Sequence, residues 1–474
     1  MPRPRVTEQT LRLHAPLLDA YLEFLESETT PFTIPGHKQR DLVGRVTAGD
    51  VPLHGGADTM KLSRGVLAQA EHLGARFWGA DICRYSVGGS THANQAMMLA
   101  IGQPGDTVIV PRTLHRSLLT GLVLAGLEPA WLRPGIDEET GLPLGITAEE
   151  VRRSLVLHPH AVAVVAVDPS YVGTIGDITG AARAAHDAKR PLIVDCAWAA
   201  HFGQHPLLPV HPMNAGADAV ITSAHKTLPA ISQGAILLAR TERLDPARVN
   251  AGFEATHTTS PSAAILASID AARALLALEG PHLVGDLIAL VSEARARLEH
   301  VPGLRVLSGE GIDPTKLVLL LHGTGVDGIE LERELIGLGL PLENADRDTI
   351  VAMVTIADDE QSVDALVTAL ILVIERLRDD PRPMSPAAAW TVDPDPAVSP
   401  REAFFARRVT LPLREAIGRV SCELIAPYPP GVPVIAPGER ITDAVVEALL
   451  SARAAGVRIA YAADPTLARV QVIA

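Results

Sequence analysis

Short apolar runs that alternate with helical stretches limit the folds open to this chain more than any other feature of its sequence. Four of these runs are predicted to be buried strands, at residues 107–110, 161–167, 192–195 and 219–222. Helical stretches such as residues 180–188 lie between them. Strands that alternate with helices in this way predict an α/β fold whose largely parallel sheet is covered on both faces.

Two of these runs end beside side chains with useful chemistry. Lys226 follows the run 219–222 and Asp195 closes the run 192–195, so both are expected at the carboxyl ends of strands, where α/β sheets bind ligands. Burial makes a neutral lysine amine available to attack an aldehyde, and a carboxylate can hold a pyridine nitrogen protonated. The pair therefore predicts pyridoxal phosphate as cofactor. The alternatives are a solvated loop lysine and a hydrogen-bonded strand end.

Two further segments complete the predicted site. A turn of small residues that includes Ser90 and Thr91 leads into the helical stretch 95–100, so its N–H groups, hydroxyls and helix dipole can hold a phosphate. His115 follows the strand 107–110 and can lay its ring on an aromatic cofactor. A capped glycine turn and a loop histidine are also common without any ligand.

The order of these pieces is more specific than any one of them. A Gly-Ser-Thr turn, a histidine, an aspartate and a Ser-x-His-Lys segment at 223–226 follow one another. In this the chain resembles the Orn/Lys/Arg decarboxylase family, the fold type I pyridoxal-phosphate decarboxylases of basic amino acids, and particularly its shorter members. The stretches that support the resemblance, from about Pro31 to Glu439, are 31–38, 168–171, 258–262, 426–431 and 437–439.

The resemblance implies a role for each residue of the site. Lys226 would carry the cofactor as an internal aldimine, Asp195 would pair with the pyridine nitrogen, and His115 would stack on the ring. Thr259 and its neighbours would reach the cofactor phosphate of a second subunit, because the family's sites lie at a dimer interface. The remaining cofactor contacts implied are Ser90, Thr91, Ala197, Trp198, Ser223 and His225.

The same resemblance implies an enzyme that decarboxylates a basic L-amino acid, arginine, lysine or ornithine, to an amine and CO2, as in polyamine metabolism. Lys226 or His225 would protonate Cα, and the sequence does not choose between them. Trp198 stands where the family usually has histidine, and the aromatic residue usual after Ser-Pro-Ser is absent. Acidic candidates for binding the distal end of the substrate are Asp58 and Glu423, with Glu439 as a third.

Two other functions use the same residues. A fold type I aminotransferase or carbon-sulfur lyase would keep Lys226 and Asp195 and add an arginine for the substrate carboxylate, for which Arg401, Arg407 and Arg414 are available. A catalytically silent decarboxylase homologue is the second alternative, although an intact Lys226 and Asp195 argue against it.

Composition limits the partners and the cellular setting. A net charge of −14 argues against nucleic acid as a partner. The sequence has neither a signal peptide nor an apolar run long enough for a membrane span, which predicts a cytoplasmic protein. Three separated cysteines indicate no disulfide framework. His201 and His205 have the spacing of metal ligands on a helix, but Gly203 and Pro206 disfavour a helix there, so no metal site is expected.

A length of 474 residues predicts several domains. Residues 1–30 are expected to form a helical arm, 31–260 the cofactor-binding large domain with an aspartate aminotransferase-like fold, and 261–378 two bridging helices broken near Gly280-Pro281 with a small αβ domain. Six prolines indicate a linker at 379–400. Residues 401–474 would form a C-terminal α+β domain.

Overall fold

The computed structural model describes residues 6–27, 29, 31–51, 65–133, 135–383, 392–428, 432–454 and 456–474. Asp58 and residues 384–391 of the predicted linker lie outside the described residues.

Two helices begin the described chain and pack on the rest of it. They are α1 (Glu8–His14) and α2 (Pro16–Glu26), and Pro16 occupies the first turn of α2 as its fixed φ angle favours. Leu17 is buried, and its N–H donates to Asp270 Oδ2 at 3.0 Å. The N-terminal segment is therefore anchored on its own chain.

A seven-stranded sheet forms the centre of the large domain, in the order β1-β7-β6-β5-β4-β2-β3. Strand β7 runs antiparallel to its two neighbours and the other pairs are parallel, which confirms the predicted largely parallel sheet. The strands are β1 (Ile82–Ser86), β2 (Thr107–Pro111), β3 (Glu128–Leu132), β4 (Ala163–Val167), β5 (Leu192–Asp195), β6 (Ala219–Thr222) and β7 (Ala235–Ala239).

Helices cover both faces of this sheet. All four residues of β5 are buried, and so are all four of β6, as expected for strands covered on both sides. Ile193 belongs to the apolar cluster on one face, and Leu192 and Val194 belong to the cluster on the other. The helices are α3 (Val66–Trp78), α4 (Gly89–Ile101), α5 (Arg116–Ala125), α6 (Ala148–Leu157), α7 (Ile178–Asp187), α8 (Ala224–Thr227) and α9 (Pro246–Thr256).

A single helix, α10 (Ala263–Leu298), joins the large domain to the small one. The prediction of two helices broken near Gly280-Pro281 is therefore wrong. Pro281 removes one backbone hydrogen bond, but the buried apolar stripe continues through Leu276, Leu283 and Val284 on both sides of it. Packing of that stripe outweighs the local preference.

Among the described residues, α10 is also the one helix whose length and hydropathy would allow it to cross a membrane. Inside the structure it instead carries a buried ion pair, in which Arg273 donates to Asp270 Oδ1 at 2.6 Å. Helices α2 and α3 pack against it.

The small domain is a four-stranded antiparallel sheet, in the order β10-β11-β9-β8, with two helices. The elements are β8 (Arg305–Val306), β9 (Leu317–Leu320), α11 (Gly328–Gly337), β10 (Asn344–Ala345), β11 (Thr349–Ala352) and α12 (Glu360–Leu377).

The C-terminal region combines two antiparallel strand pairs with helices around an apolar cluster of its own. Strand β12 pairs with β15, and β13 pairs with β14. The elements are α13 (Pro400–Phe405), β12 (Arg408–Pro412), β13 (Ala426–Tyr428), α14 (Asp443–Ala454), β14 (Arg458–Ala460) and β15 (Arg469–Ile473).

One buried ion pair ties the C-terminal region to the large domain. Arg112, just after β2, donates to both carboxylate oxygens of Glu439 at 2.5 and 2.8 Å, and its Nε donates to the carbonyl of Pro433 at 3.1 Å. Its guanidinium also lies 4.6 Å from the ring centroid of Trp131. A bidentate pair of this kind fixes orientation as well as distance.

Glu439→Gln should cost about 3–5 kcal/mol of unfolding free energy, because it leaves the Arg112 charge buried without its counter-charge. Urea unfolding measures the loss. The control is Glu447→Gln, which breaks the exposed pair with Arg414 and should cost at most about 1 kcal/mol. Equal unfolding free energies of the two variants would show that the Arg112–Glu439 pair stabilises the fold no more than an exposed ion pair does.

Acid should destabilise the fold through buried histidines. Burial lowers the pKa of His92 to about 4 and that of His211 to about 3, whereas an unfolded histidine titrates near 6.5. Between about pH 6.5 and pH 4 these two side chains bind more protons in the unfolded chain, so their contribution to the unfolding free energy falls as pH falls. Asp168, whose pKa burial raises to about 7, contributes with the opposite sign. His92→Gln should flatten this slope relative to wild type, measured by urea unfolding at several pH values.

His160→Gln is the control for His92→Gln, because His160 is exposed and its replacement should leave the slope unchanged. A slope in His92→Gln as steep as that of the wild type would contradict the assignment.

Candidate active site

Asp195 and Lys226 lie at the ends of two adjacent strands. Asp195 is the last residue of β5, and in the parallel pairing it is opposite Ile221 of β6. Lys226 lies in the one-turn helix α8 that follows β6. The topology thus places an amine and a carboxylate in one crevice at the carboxyl edge of the sheet, as the sequence predicts.

Asp195 is held rigidly by neighbouring donors. Its Oδ2 accepts from Asn94 Nδ2 at 2.8 Å and its Oδ1 from the Ala197 N–H at 3.2 Å. Burial raises the pKa of Asp195, and the nearby His115, Asn94 and Lys226 act in the opposite direction. The carboxylate is therefore positioned and partly desolvated before any ligand arrives.

The same network reaches His115. Asn94 Nδ2 also donates to Ser117 Oγ at 3.0 Å, and Ser117 Oγ lies 2.8 Å from His115 Nδ1. The Ser117 N–H donates to the same nitrogen at 3.3 Å. Since His115 Nδ1 accepts, the neutral ring carries its proton on Nε2. Desolvation lowers the pKa of His115, which favours that neutral form.

Hydroxyl groups meet at the start of α4. Ser90 Oγ and Ser223 Oγ are 2.9 Å apart, so the turn before α4 touches the segment that carries Lys226. Ser90 and Thr91 lie in the first turn of α4, whose N–H groups have no acceptor within the helix. Gly89 has φ +70°, and a side chain there would meet no atom within 4 Å. The arrangement has the features of an anion site.

Trp198 forms one wall of the crevice, with two lysines on its ring. Lys226 Nζ lies 3.7 Å from the indole centroid and Lys316 Nζ lies 3.9 Å from it. The Tyr171 ring packs edge-on at a centroid distance of 5.4 Å. Burial lowers the pKa of Lys226, and the charges of Asp195 and Glu343 act against that shift.

His225 is fixed from its backbone and its side chain. Its N–H donates to the carbonyl of Gly234 at 3.2 Å, and its Nδ1 donates to the same carbonyl at 2.8 Å. In the neutral ring the single proton is thus engaged with the backbone, and Nε2 is an acceptor.

Other predicted residues lie elsewhere or point to other roles. Both carboxylate oxygens of Glu423 accept backbone N–H groups, from Ala463 at 2.8 Å and Gln471 at 2.7 Å. Thr259 is exposed in the single chain. In the described part of the chain no group of three or more histidine, cysteine, aspartate or glutamate side chains is arranged to hold a metal.

Three functional residues were not singled out from the sequence. Asn94 lies one helical turn after Ser90, a spacing that puts both side chains on one face of α4 and could have indicated Asn94. Ser117 follows His115 by two positions, and that spacing gives no such indication. For Lys316 the sequence contained one indication of a role, a charged residue at the start of the apolar run 316–321.

Comparison with known proteins gives concordant matches. The chain matches the Orn/Lys/Arg decarboxylase major domain over residues 15–330 and the C-terminal domain of that family over residues 385–458. Arginine decarboxylases of Bacillus subtilis and of Halalkalibacterium halodurans are each 32% identical to it, over 97% of this chain and 97% of theirs.

A solved lysine decarboxylase of Francisella novicida is 19% identical and superposes with a TM-score of 0.83, over 98% of this chain and 82% of that one. This likeness confirms the predicted fold class. Together with the matches in sequence, it gives one conclusion: the chain belongs to the Orn/Lys/Arg decarboxylase family.

Proposed function

We propose that this protein is a pyridoxal-phosphate-dependent decarboxylase of a basic L-amino acid, with arginine as the first substrate to test. The observation that carries the proposal is the meeting of Lys226 and Asp195 at adjacent strand ends beside Trp198. Family membership supports the reaction, and the two relatives described above, each matched over 97% of its length, are named arginine decarboxylases.

The donor set fits pyridoxal phosphate. Its aldehyde needs an amine that is neutral in part, and burial lowers the pKa of Lys226. Its pyridine nitrogen needs a buried carboxylate, and Asp195 is buried, which raises its pKa. Its phosphate needs N–H groups and hydroxyls, which the start of α4, with Ser90 and Thr91, and Ser223 offer.

When bound, pyridoxal phosphate supplies an electron sink for the bond to the carboxyl group that breaks. Asp195 would keep the ring nitrogen protonated, and Asn94 holds that carboxylate in place. His115, neutral because desolvation lowers its pKa, would pack on the ring without adding a second charge. Trp198 would exclude water from one side of the crevice.

We assign the proton that Cα receives to Lys226 rather than His225. The one proton of a neutral His225 ring is engaged with the Gly234 carbonyl. The Lys226 amine lies over Trp198 inside the crevice, within the site where the bond would break, and burial lowers its pKa, which makes it a better proton donor.

An aminotransferase is the weaker alternative. Arg401 donates to the carbonyls of Val123 and Leu124 at the end of α5, and Arg414 pairs with the exposed Glu447. Both guanidinium groups are therefore engaged away from the crevice, which argues against either as the carboxylate clamp of a transaminase.

A homodimer with shared sites is part of the proposal, since Thr259 is exposed in the single chain and would reach the cofactor phosphate of a second copy. A role in polyamine metabolism and a cytoplasmic location belong to the same proposal and rest on the family. Glu423 and Asp58 remain the proposed acidic contacts for the distal end of the substrate. For Glu423 this would require its carboxylate to accept a further donor.

Borohydride reduction of the protein loaded with pyridoxal phosphate, followed by peptide mapping, should find the cofactor on the peptide that contains Lys226. Lys226→Ala should lose both the label and the cofactor absorption band, whereas Lys189→Met, at an exposed lysine, should keep both. Lys316 touches the same tryptophan, so a label on Lys316 instead would contradict the assignment.

Incubation of the loaded protein with arginine, lysine and ornithine should release CO2 and one amine, agmatine in the case of arginine, identified by mass. Asp195→Asn should lower kcat on the order of 10²- to 10³-fold, since one preorganised charge is lost. Asp187→Asn, at an exposed position of α7, is the matched control. Formation of an α-keto acid without gas would favour the aminotransferase, and no consumption at all would favour the silent homologue.

A further inference from the structure

Lys316 is a buried cation that the proposed reaction has not yet used. It precedes β9 of the small domain and is 3% exposed. Its Nζ nevertheless lies over Trp198 of the large domain, the ring that Lys226 Nζ also contacts. Two domains thus place two amines on the same indole.

The ammonium of Lys316 lacks a close counter-charge. Among the described residues its hydrogen-bond partner is the thioether of Met353, 3.8 Å from Nζ, and it forms no ion pair. The charge of Asp313 acts on Lys316, but the two side chains form no ion pair: Asp313 Oδ1 accepts from Thr315 N–H and Oγ1 at 2.8 and 2.7 Å, and its buried Oδ2 has no hydrogen-bond partner among the described residues. A thioether is a weak acceptor and a buried charge without an ion-pair partner is costly, so an anion that enters the crevice would be stabilised there.

The side chain is also held in place. Gly173 has φ +86°, and a Cβ there would come within 2.8 Å of Lys316 Cγ, so the loop of Gly173 packs directly on the lysine stem. The carbonyl of Gly173 accepts from the Asp313 N–H at 2.8 Å. The ammonium is therefore preorganised before a ligand binds, which reduces the entropic cost of binding.

We propose that Lys316 is a substrate-positioning residue whose ammonium receives the α-carboxylate of the amino acid. This inference rests on the proposed function, in which the substrate's α-amine is brought to Lys226. The α-carboxylate is bonded to the same carbon as that amine, so it would lie close to Lys226, and Lys316 is the second cation on the Trp198 ring, near enough for the charge of Lys226 to act on it. The cofactor phosphate has its own donors at Ser90 and Ser223.

If Lys316 binds the α-carboxylate, the affinity should depend on pH. Burial lowers the pKa of Lys316 to about 8, helped by the charge of Lys226 and opposed by Asp313 and Glu343. The affinity for a carboxylate should therefore be highest below about pH 8, where Lys316 is protonated, and should fall as the pH rises above that value. An arginine at this position stays charged, so Lys316→Arg should retain most of the affinity and lose that dependence.

The test uses two ligands that differ only at the carboxyl group, 5-guanidinopentanoate and its amide. Neither has an α-amine, so neither can be turned over. Calorimetric titration into the loaded protein should show that Lys316→Met weakens the acid about 10- to 100-fold, as for the loss of a hydrogen bond to a charged group, and the amide less than twofold. Lys189→Met removes an exposed positive charge and should change neither.

Equal weakening of acid and amide in Lys316→Met, or no change in either, would overturn the inference, and so would a wild-type protein that binds the amide as tightly as the acid. Spectra of the bound cofactor check that Lys316→Met is loaded and folded. A wild-type protein that binds the acid through Lys316 yet releases no CO2 from any basic amino acid would count against the proposed function alone.

Discussion

The parallel pairing of β5 with β6 is the constraint on which the site depends. It puts the carboxylate of Asp195 and the segment that carries Lys226 at one edge of the sheet. Asn94, from the helix that carries the proposed phosphate site, then fixes the carboxylate. One hydrogen bond therefore links the two ends of the proposed cofactor pocket, and a shift of α4 would disturb both together.

Much of this arrangement follows from local sequence. Strands β5 and β6 end where the apolar runs end, because fully buried parallel strands need continuous apolar residues. The continuity of helix α10 could not be predicted in this way. Pro281 disfavours the helix locally, whereas the apolar side chains that stabilise it are buried against residues far away in the sequence. Lys316 could not be placed from sequence either, because its contact with Trp198 depends on how two domains pack.

The C-terminal region contributes at a distance. Glu439 forms an ion pair with Arg112, which is the first residue after β2. The loop that begins there leads to His115. The pair thus fixes the start of the loop that brings His115 to the site. In this geometry Glu439, from the last region of the chain, supports the proposed cofactor pocket through Arg112.

Helix α10 runs unbroken from Ala263 to Leu298, a length of about 54 Å at 1.5 Å per residue. Its first part packs against α2 and α3 and its last part against α12 of the small domain. The backbone hydrogen bond that Pro281 removes lies at the middle of this helix, with buried side chains on either side of it. A bend of α10 at that point would move Lys316, in the small domain, relative to Trp198, in the large one.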